Sequence, residues 1–373
     1  MSGNPMRDQI LATPAALKAA FDELELAVRL VLSFEEIFRS RRIVLTGSGD
    51  SYFAAAAAEF AFLKHAGLPV EVRTPLDAGR YHAAVSRPRD IENTLVVALS
   101  NSGGAARTAE AAGLYRARGA LVLALTKDRD SRLAAAADKT LVTPVPTLPP
   151  APGYGAYLFA LLALQLLAIR LGEVRAEMTM DQAQALRMDL KRHLDDLAAV
   201  TEATDAPARS VADKLQAAAL IEFLGAGPSR AVADYGAAKI LEACGRHALA
   251  RDLEEWVHLN YFDGAPAEIA TMAILPVGSR ATSRVDEVAA YWAKLRANFT
   301  VVGGPMDGAA ALPVQPAIAE EFSPLLTSVG PALVTAHLSE LLGADYGRGA
   351  TGPWSDCRDA ATVQGGRIET SFS

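Results

Sequence analysis

Cysteine is almost absent from this chain of 373 residues: Cys244 and Cys357 are the only two. They give neither a disulfide framework nor metal-ligand spacing, so a reducing, cytoplasmic setting is the simpler expectation. Histidine is also scarce. His65, His82, His193, His247 and His337 show no ligand spacing, and no cofactor or metal is expected. Positive charge is not in excess. With 36 basic and 43 acidic residues the net charge is −7, which gives no reason to expect nucleic acid or an anionic membrane. An anionic ligand must then be held by local donors. Met1 to Ile10 is polar and lacks the apolar core of a signal peptide. The longest apolar run, Tyr157 to Ile169, has 13 residues including Gln165. It is too short to cross a bilayer and reads as a buried helix.

What the chain does have is a globular composition, 51% hydrophobic and 21% charged, at a length that suits two domains of about 150 residues each. It also repeats itself. At a constant offset of 178 residues, Gly47, Gly49 and Ser51 fall on Gly225, Gly227 and Ser229. On the same offset Thr94–Ser100 falls on Met272–Gly278, and Leu121–Leu123 on Phe299–Val301. Solenoid repeats have periods of about 20–50 residues; a repeat this long implies a duplicated domain. The copies have diverged unevenly, as expected if one binds the ligand and the other supplies chemistry.

Helical spacing of Leu17, Phe21, Leu24, Val28 and Val31 predicts one or two helices before residue 40. Strands are expected at Ile43–Leu45, Val70–Arg73, Leu95–Leu99 and Leu121–Leu125, with an Ala-rich helix at Tyr52–Ala66. Strands alternating with helices call for a parallel sheet. Pro144 to Pro152 holds five prolines in nine residues and excludes helix interior or central strand. A charged helical region at about 174–198 is expected to hold or precede the boundary. The second unit starts at Ala219–Phe223. A helix is expected at Gly330–Leu342 and an irregular tail beyond Tyr346. The expected domains are 1–195, 196–345 and a tail, 346–373.

A strand running through a small-residue turn into a helix aims backbone N–H groups at one spot, which suits a phosphate or sulfonate. Ser51 opens one such helix, and Ser100, Asn101 and Ser102 are expected to open another. A switch point in the sheet would bring the two clusters together. Such serines also serve simply as helix caps, but two Ser-rich turns at matching places favour a ligand. Gly47-Ser48-Gly49-Asp50-Ser51-Tyr52 followed by Ser100-Asn101-Ser102-Gly103 resembles the sugar isomerase (SIS) domain. The tandem arrangement resembles the isomerase half of glucosamine-6-phosphate synthase and its fructosamine-deglycase relatives, over most of the chain to about residue 303. The glutaminase half and its N-terminal cysteine are not in this sequence, so glutamine-dependent amination by this chain alone is not expected.

The resemblance implies an α/β protein of two flavodoxin-like SIS domains, each a parallel sheet flanked by helices, related by internal duplication. It implies that Ser51, Ser100, Asn101 and Ser102, with Gly49 in the same turn, hold a terminal anion. The family's Ser-Gln-Ser-Gly-Glu-Thr is here Ser100-Asn101-Ser102-Gly103-Gly104-Ala105, one hydroxyl fewer, which keeps a sulfonate open beside a phosphate. In the second copy Lys239 and Glu242 lie three apart on one helix face, and alone would read as a surface ion pair. They match the family's Lys-x-x-Glu, whose glutamate moves a proton between C1 and C2. Glu255 and His258 match its Glu-x-x-His, whose histidine opens the ring. That histidine reaches into a partner subunit in the family, which implies a homodimer. His247 is a weaker candidate, and Trp256 and Tyr261 are candidate pocket walls. The synthase's tail lysine has no counterpart, because no lysine follows Lys294. Arg358 or Arg367 would supply the charge there, but not a neutral amine. The expected activity is cofactor-free aldose–ketose isomerisation of a hexose bearing a C6 anion. An amino-sugar deaminase or deglycase, a 6-sulfonate sugar isomerase and a non-catalytic sugar-phosphate sensor are the alternatives.

Overall fold

The computed structural model describes residues 3–147, 151–295, 298–304, 306, 309–314, 317–346, 353 and 363–371. The chain forms two compact units. One gathers Ala19–Pro146, Ala156–Asp189 and the tail from Gly347; the other gathers the chain up to Lys18, Thr147–Gly155 and Leu190–Tyr346.

In the first unit five strands, β1 (Arg42–Gly47), β2 (Val70–Arg73), β3 (Thr94–Leu99), β4 (Leu121–Thr126) and β5 (Lys139–Val142), pair in the order β2-β1-β3-β4-β5. Every pairing is parallel. Runs such as Leu95-Val96-Val97-Ala98-Leu99, apolar on both faces and fully buried, are what a sheet covered by helices on both sides requires. The Ala-rich helix Asp50–His65 buries Ala54, Ala55, Ala57, Ala58 and Ala61, small side chains that allow close packing.

The second unit repeats this plan with β6 (Leu220–Gly225), β7 (Ala248–Asp252), β8 (Ile269–Leu275), β9 (Asn298–Gly303) and β10 (Ala310–Pro313). Their order is β10-β9-β8-β6-β7, all parallel. In each unit the first two strands and then the third, fourth and fifth grow outward from one switch point, the flavodoxin-like order. Backbone detail repeats too. Gly49 (φ 56°, ψ −130°) and Gly227 (φ 55°, ψ −133°) share a conformation that only glycine adopts readily.

Strand register refines the repeat. The offset of 178 holds where Ile43–Val70 corresponds to Ile221–Ala248, but Leu95 corresponds to Ala270 and Leu121 to Asn298. The gap-free alignment of Thr94–Ser100 is therefore three residues out. The connection from β7 to β8 is shorter than that from β2 to β3, and the corrected register sets Gly103 (φ 66°) on Gly278 (φ 80°).

Two helices are longer than expected, the apolar one buried as the sequence implied. The apolar helix runs Gly155–Val174, 20 residues, long and apolar enough for a membrane span by composition, but 89% of that window is buried inside the protein. The charged region continues as one 36-residue helix, Met180–Leu215. A stability test follows from the turn after β3. A Cβ on Gly103 would lie 2.1 Å from both Cβ and Oγ of Ser131, at positive φ. Gly103→Ala is expected to cost about 2 kcal/mol or more, measured as a lower urea midpoint at unchanged m-value.

Candidate active site

In the first unit the strand order reverses between β1 and β3, and Gly47 pairs with Leu99 at their C-terminal ends. The turns leaving these strands therefore share one edge of the sheet, at the place where open α/β sheets bind ligands. Gly49, Ser51, Ser100, Asn101 and Ser102 are brought together there. Gly47 has to be glycine, since a Cβ would lie 2.8 Å from Ser51 Cβ and 3.1 Å from the Leu99 carbonyl.

The serines do not cap these helices. The helix after β1 begins at Asp50 with Gly49 as N-cap, and the helix after β3 begins only at Ala106 with Ala105 as N-cap; neither cap has a side-chain hydrogen bond. Ser100, Asn101 and Ser102 thus occupy an intervening turn, closed by Gly103 N–H donating to the Ser100 carbonyl (2.9 Å), rather than the helix start expected from sequence. The Asn101 carbonyl accepts from Lys127 N–H (3.0 Å) and Thr126 Oγ1 (3.2 Å), which fixes the turn. Asn101 Oδ1 is buried without a hydrogen-bond partner among the described residues. The Ser51 and Ser100 hydroxyls have none there either. Buried polar groups are normally satisfied, so a turn that leaves several spare is arranged for something else.

The described tail, expected to be an irregular extension, docks on this same unit. The Ala106 N–H, which has no partner within its own helix, donates to the Val363 carbonyl (2.9 Å). Arg132 donates to the Gln364 carbonyl (2.8 Å) and Arg107 to that of Arg367. Gln364 lies over Gly104. Glu110 is the anchor. Its buried carboxylate takes Arg80 (2.7 Å), Arg107 and the Glu369 N–H (2.6 Å). Burial alone would raise its pKa, but Arg80, the Glu369 amide and Arg107 hold it below the ordinary carboxylate value. This contribution is complete above the unfolded pKa and is lost as pH falls through the depressed folded one. Glu110→Gln is expected to cost about 2 kcal/mol at neutral pH, with the difference from wild type shrinking below about pH 4. Thermal melts between pH 3 and pH 7, with limited proteolysis of the tail, check it. Arg80, Arg107, Glu110 and Arg132 were not among the sequence candidates; only the Arg107-x-x-Glu110 spacing hinted at a pair. Arg358 lies outside the described residues, and Arg367 is exposed beside Glu369 (3.4 Å).

In the second unit the helix Pro228–Lys239 widens into a π-turn, Ile240–Cys244, ended by left-handed Gly245. Glu242 sits in that turn. Lys239 Nζ is 2.6 Å from Glu242 Oε2; the lysine side chain is fully buried, whereas the glutamate is 51% exposed. Lys239 also lies over the Tyr235 ring at 5.4 Å. An ion pair with one member wholly buried is not the solvated helix face of the bland alternative, because an ammonium is buried only where it is paired. π-turns often mark functional positions.

His258 and Glu255 lie on the short helix Leu253–Leu259, capped by Asp252. His258 is exposed and 3.3 Å from Glu254, rather than being paired with Glu255. Trp256 is 4% exposed and its indole N–H donates to buried Glu222 (2.7 Å); with Tyr261 it lines a small cavity of about 140 Å³. Glu222 also takes Thr271 (2.7 Å) and Asn260 (3.1 Å), so it ties both flanks of His258 to β6. Tyr261 is exposed. No group of three or more metal-ligating side chains occurs among the described residues.

A doubly wound sheet with a serine-lined turn at its switch point, repeated in a second copy that carries a Lys–Glu pair, defines a duplicated α/β protein of the flavodoxin-like class. Residues 36–170 match the SIS domain family, and the chain is a tandem SIS-domain protein. It is 32% identical over 260 residues to glutamine–fructose-6-phosphate aminotransferase (isomerizing) of Symbiobacterium thermophilum, covering 68% of this chain and 42% of that one. In fold it is similar to the C-terminal domain of glucosamine-fructose-6-phosphate aminotransferase from Francisella tularensis (TM-score 0.79, 18% identity, 92% and 97% of the two chains). It is also similar to tagatose-6-phosphate ketose/aldose isomerase from Escherichia coli (TM-score 0.71, 16% identity, 92% and 94%). The chain spans 42–53% of the length of the first two curated relatives it matches.

Proposed function

We propose that this protein is a cofactor-free aldose–ketose isomerase acting on a hexose with a terminal anion at C6, a phosphate in the first instance. The observation that carries this reading is the Lys239–Glu242 pair: a buried ammonium fixes one carboxylate oxygen at 2.6 Å while the carboxylate stays open to solvent. Such a group is both oriented and reachable, as a proton-shuttling base must be. In this reading Glu242 removes the proton from C2 of the open aldose and returns it to C1 of the enediol, giving the ketose. The spare donors of Ser51, Ser100 and Ser102 and the Asn101 amide hold the terminal anion, supported by the N-terminus of helix Asp50–His65. His258 opens the ring. Its exposure, with a position fixed through Glu222, fits a group offered to a partner subunit, and we assign the protein as a homodimer.

Two measurements test the reading. Purified protein is supplied with C6-phosphorylated and C6-sulfonated aldoses, and ketose and ammonia are assayed; ketose supports the isomerase, whereas ammonia from an aminated sugar moves the assignment to a deaminase. For the shared site, Glu242→Gln and His258→Asn homodimers are each expected to be inactive. Co-refolded together they are expected to regain activity, through hybrids that keep one intact pair. Absence of any recovery in verified hybrids would remove His258 from the partner's site.

A further inference from the structure

At the opposite end of the first sheet from the serine turn, a cleft of about 650 Å³ is lined by Arg41, Arg42, Arg87, Arg89, Asp90, Asn93 and Pro69. We propose that it is a second binding site, for a small molecule carrying two or more phosphate groups. Four guanidinium groups around one concavity, against one carboxylate in its lining, stand out in a chain whose net charge is −7. Two of the four are compensated: Arg42 pairs with Glu71 (3.0 Å) and Arg87 with Asp90 (2.9 Å). Arg41 and Arg89 have no acidic partner among the described residues. Planar guanidinium forks suit phosphate oxygens, and two uncompensated ones set apart on separate segments match a ligand with more than one phosphate. The volume is that of a small-molecule pocket.

The cleft is built rather than incidental. Its walls come from the start of β1, the residue before β2 and the short helix Pro88–Glu92 with its flanking Arg87 and Asn93, which leads into β3, and backbone bonds tie them. Arg41 N–H donates to the Asn93 carbonyl (2.7 Å) and Ile43 N–H to that of Pro69 (2.8 Å). The Asn93 amide donates to the Arg89 carbonyl (2.8 Å). Because Arg42 opens β1 and Gly47 closes it, the cleft lies about 20 Å from the serine turn along the strand, so it is a separate site. The inference does not depend on the reaction proposed above.

Calorimetry on the full-length protein with inorganic tripolyphosphate, ADP and inorganic phosphate tests it. One equivalent of tripolyphosphate is expected to bind more tightly than monophosphate, with affinity falling as salt rises. Arg41→Glu with Arg89→Glu is expected to weaken binding by about tenfold or more. Both residues are exposed, so the melting temperature of this variant is expected to be unchanged. Ser100→Ala with Ser102→Ala is expected to leave this binding intact. Loss in the serine variant alone, no effect of the charge reversal, or no tripolyphosphate binding would overturn the proposal. So would tighter binding of a poly-glutamate peptide, which would make the cleft a docking site for an acidic protein.

Discussion

Glu242→Gln is expected to lower kcat by roughly a thousandfold while leaving substrate affinity within a few-fold of wild type. The amide is nearly isosteric, so it keeps the shape of the π-turn and one acceptor for Lys239, but it cannot take up a proton. The asymmetry of the pair makes the test specific. Lys239 is wholly buried and Glu242 half exposed, so neutralising the glutamate leaves a buried ammonium with weaker compensation, and some stability is lost as well. Thermal melts separate the two effects. A variant that melts close to wild type yet no longer turns over assigns Glu242 to proton transfer. A variant that retains most of its kcat removes that role.

Loss of the serine donors is expected to have the next largest effect, and a different kinetic signature. Hydrogen bonds to a charged group contribute about 1.5–3 kcal/mol each. Ser100→Ala combined with Ser102→Ala is therefore expected to cost about 100-fold or more in kcat/KM for an anionic sugar. Little stability should be lost, since the Ser100 hydroxyl supports nothing among the described residues and Ser102 Oγ accepts only the Gly104 N–H at 3.3 Å. Gly49→Ala acts on the same turn through the backbone, forcing a side chain into φ 56°, ψ −130°, which costs about 1–3 kcal/mol. If the serine double variant handles the anionic sugar as wild type does, the turn after β3 is not the anion site. Steady-state kinetics on anionic and non-anionic versions of the same sugar give the answer, because only the anionic one should suffer.

Much of the fold could be read from the chain because its central strands are short runs of apolar residues bounded by Gly and Ser turns. Ile43–Leu45, Leu95–Leu99 and Leu121–Leu125 were legible for that reason, and the repeated Gly-x-Gly-x-Ser showed the duplication. β5, β7 and β10 were not. They are edge strands of four or five residues with mixed polarity, stabilised by pairing with a formed sheet rather than by local pattern. The shift in repeat offset at β8 was hidden for a related reason: a shorter connection leaves no mark in a sequence whose strands all look alike, and only register reveals it. In the site, Lys239 and Glu242 could be singled out by spacing and resemblance, but spacing cannot tell a buried ammonium from a solvated one. The Glu110 anchor of the tail and the Glu222 anchor of the His258 helix each join segments tens of residues apart or more, with no local motif. The helix start after β3 was misplaced because serines resemble caps wherever they stand before a helix, and here the helix waits until Ala106.

The central claim is that this protein moves a proton between C1 and C2 of an anionic sugar, and solvent exchange measures that step directly. The protein is incubated in D2O with a C6-phosphorylated hexose and its C6-sulfonated counterpart, followed by NMR, with Glu242→Gln as control. The account predicts deuterium at C1 of the ketose or C2 of the aldose, catalysed by wild type and absent in the variant. Ligands that raise the melting temperature while no deuterium enters either carbon would contradict it, and the protein would then be a sensor of such sugars rather than an isomerase.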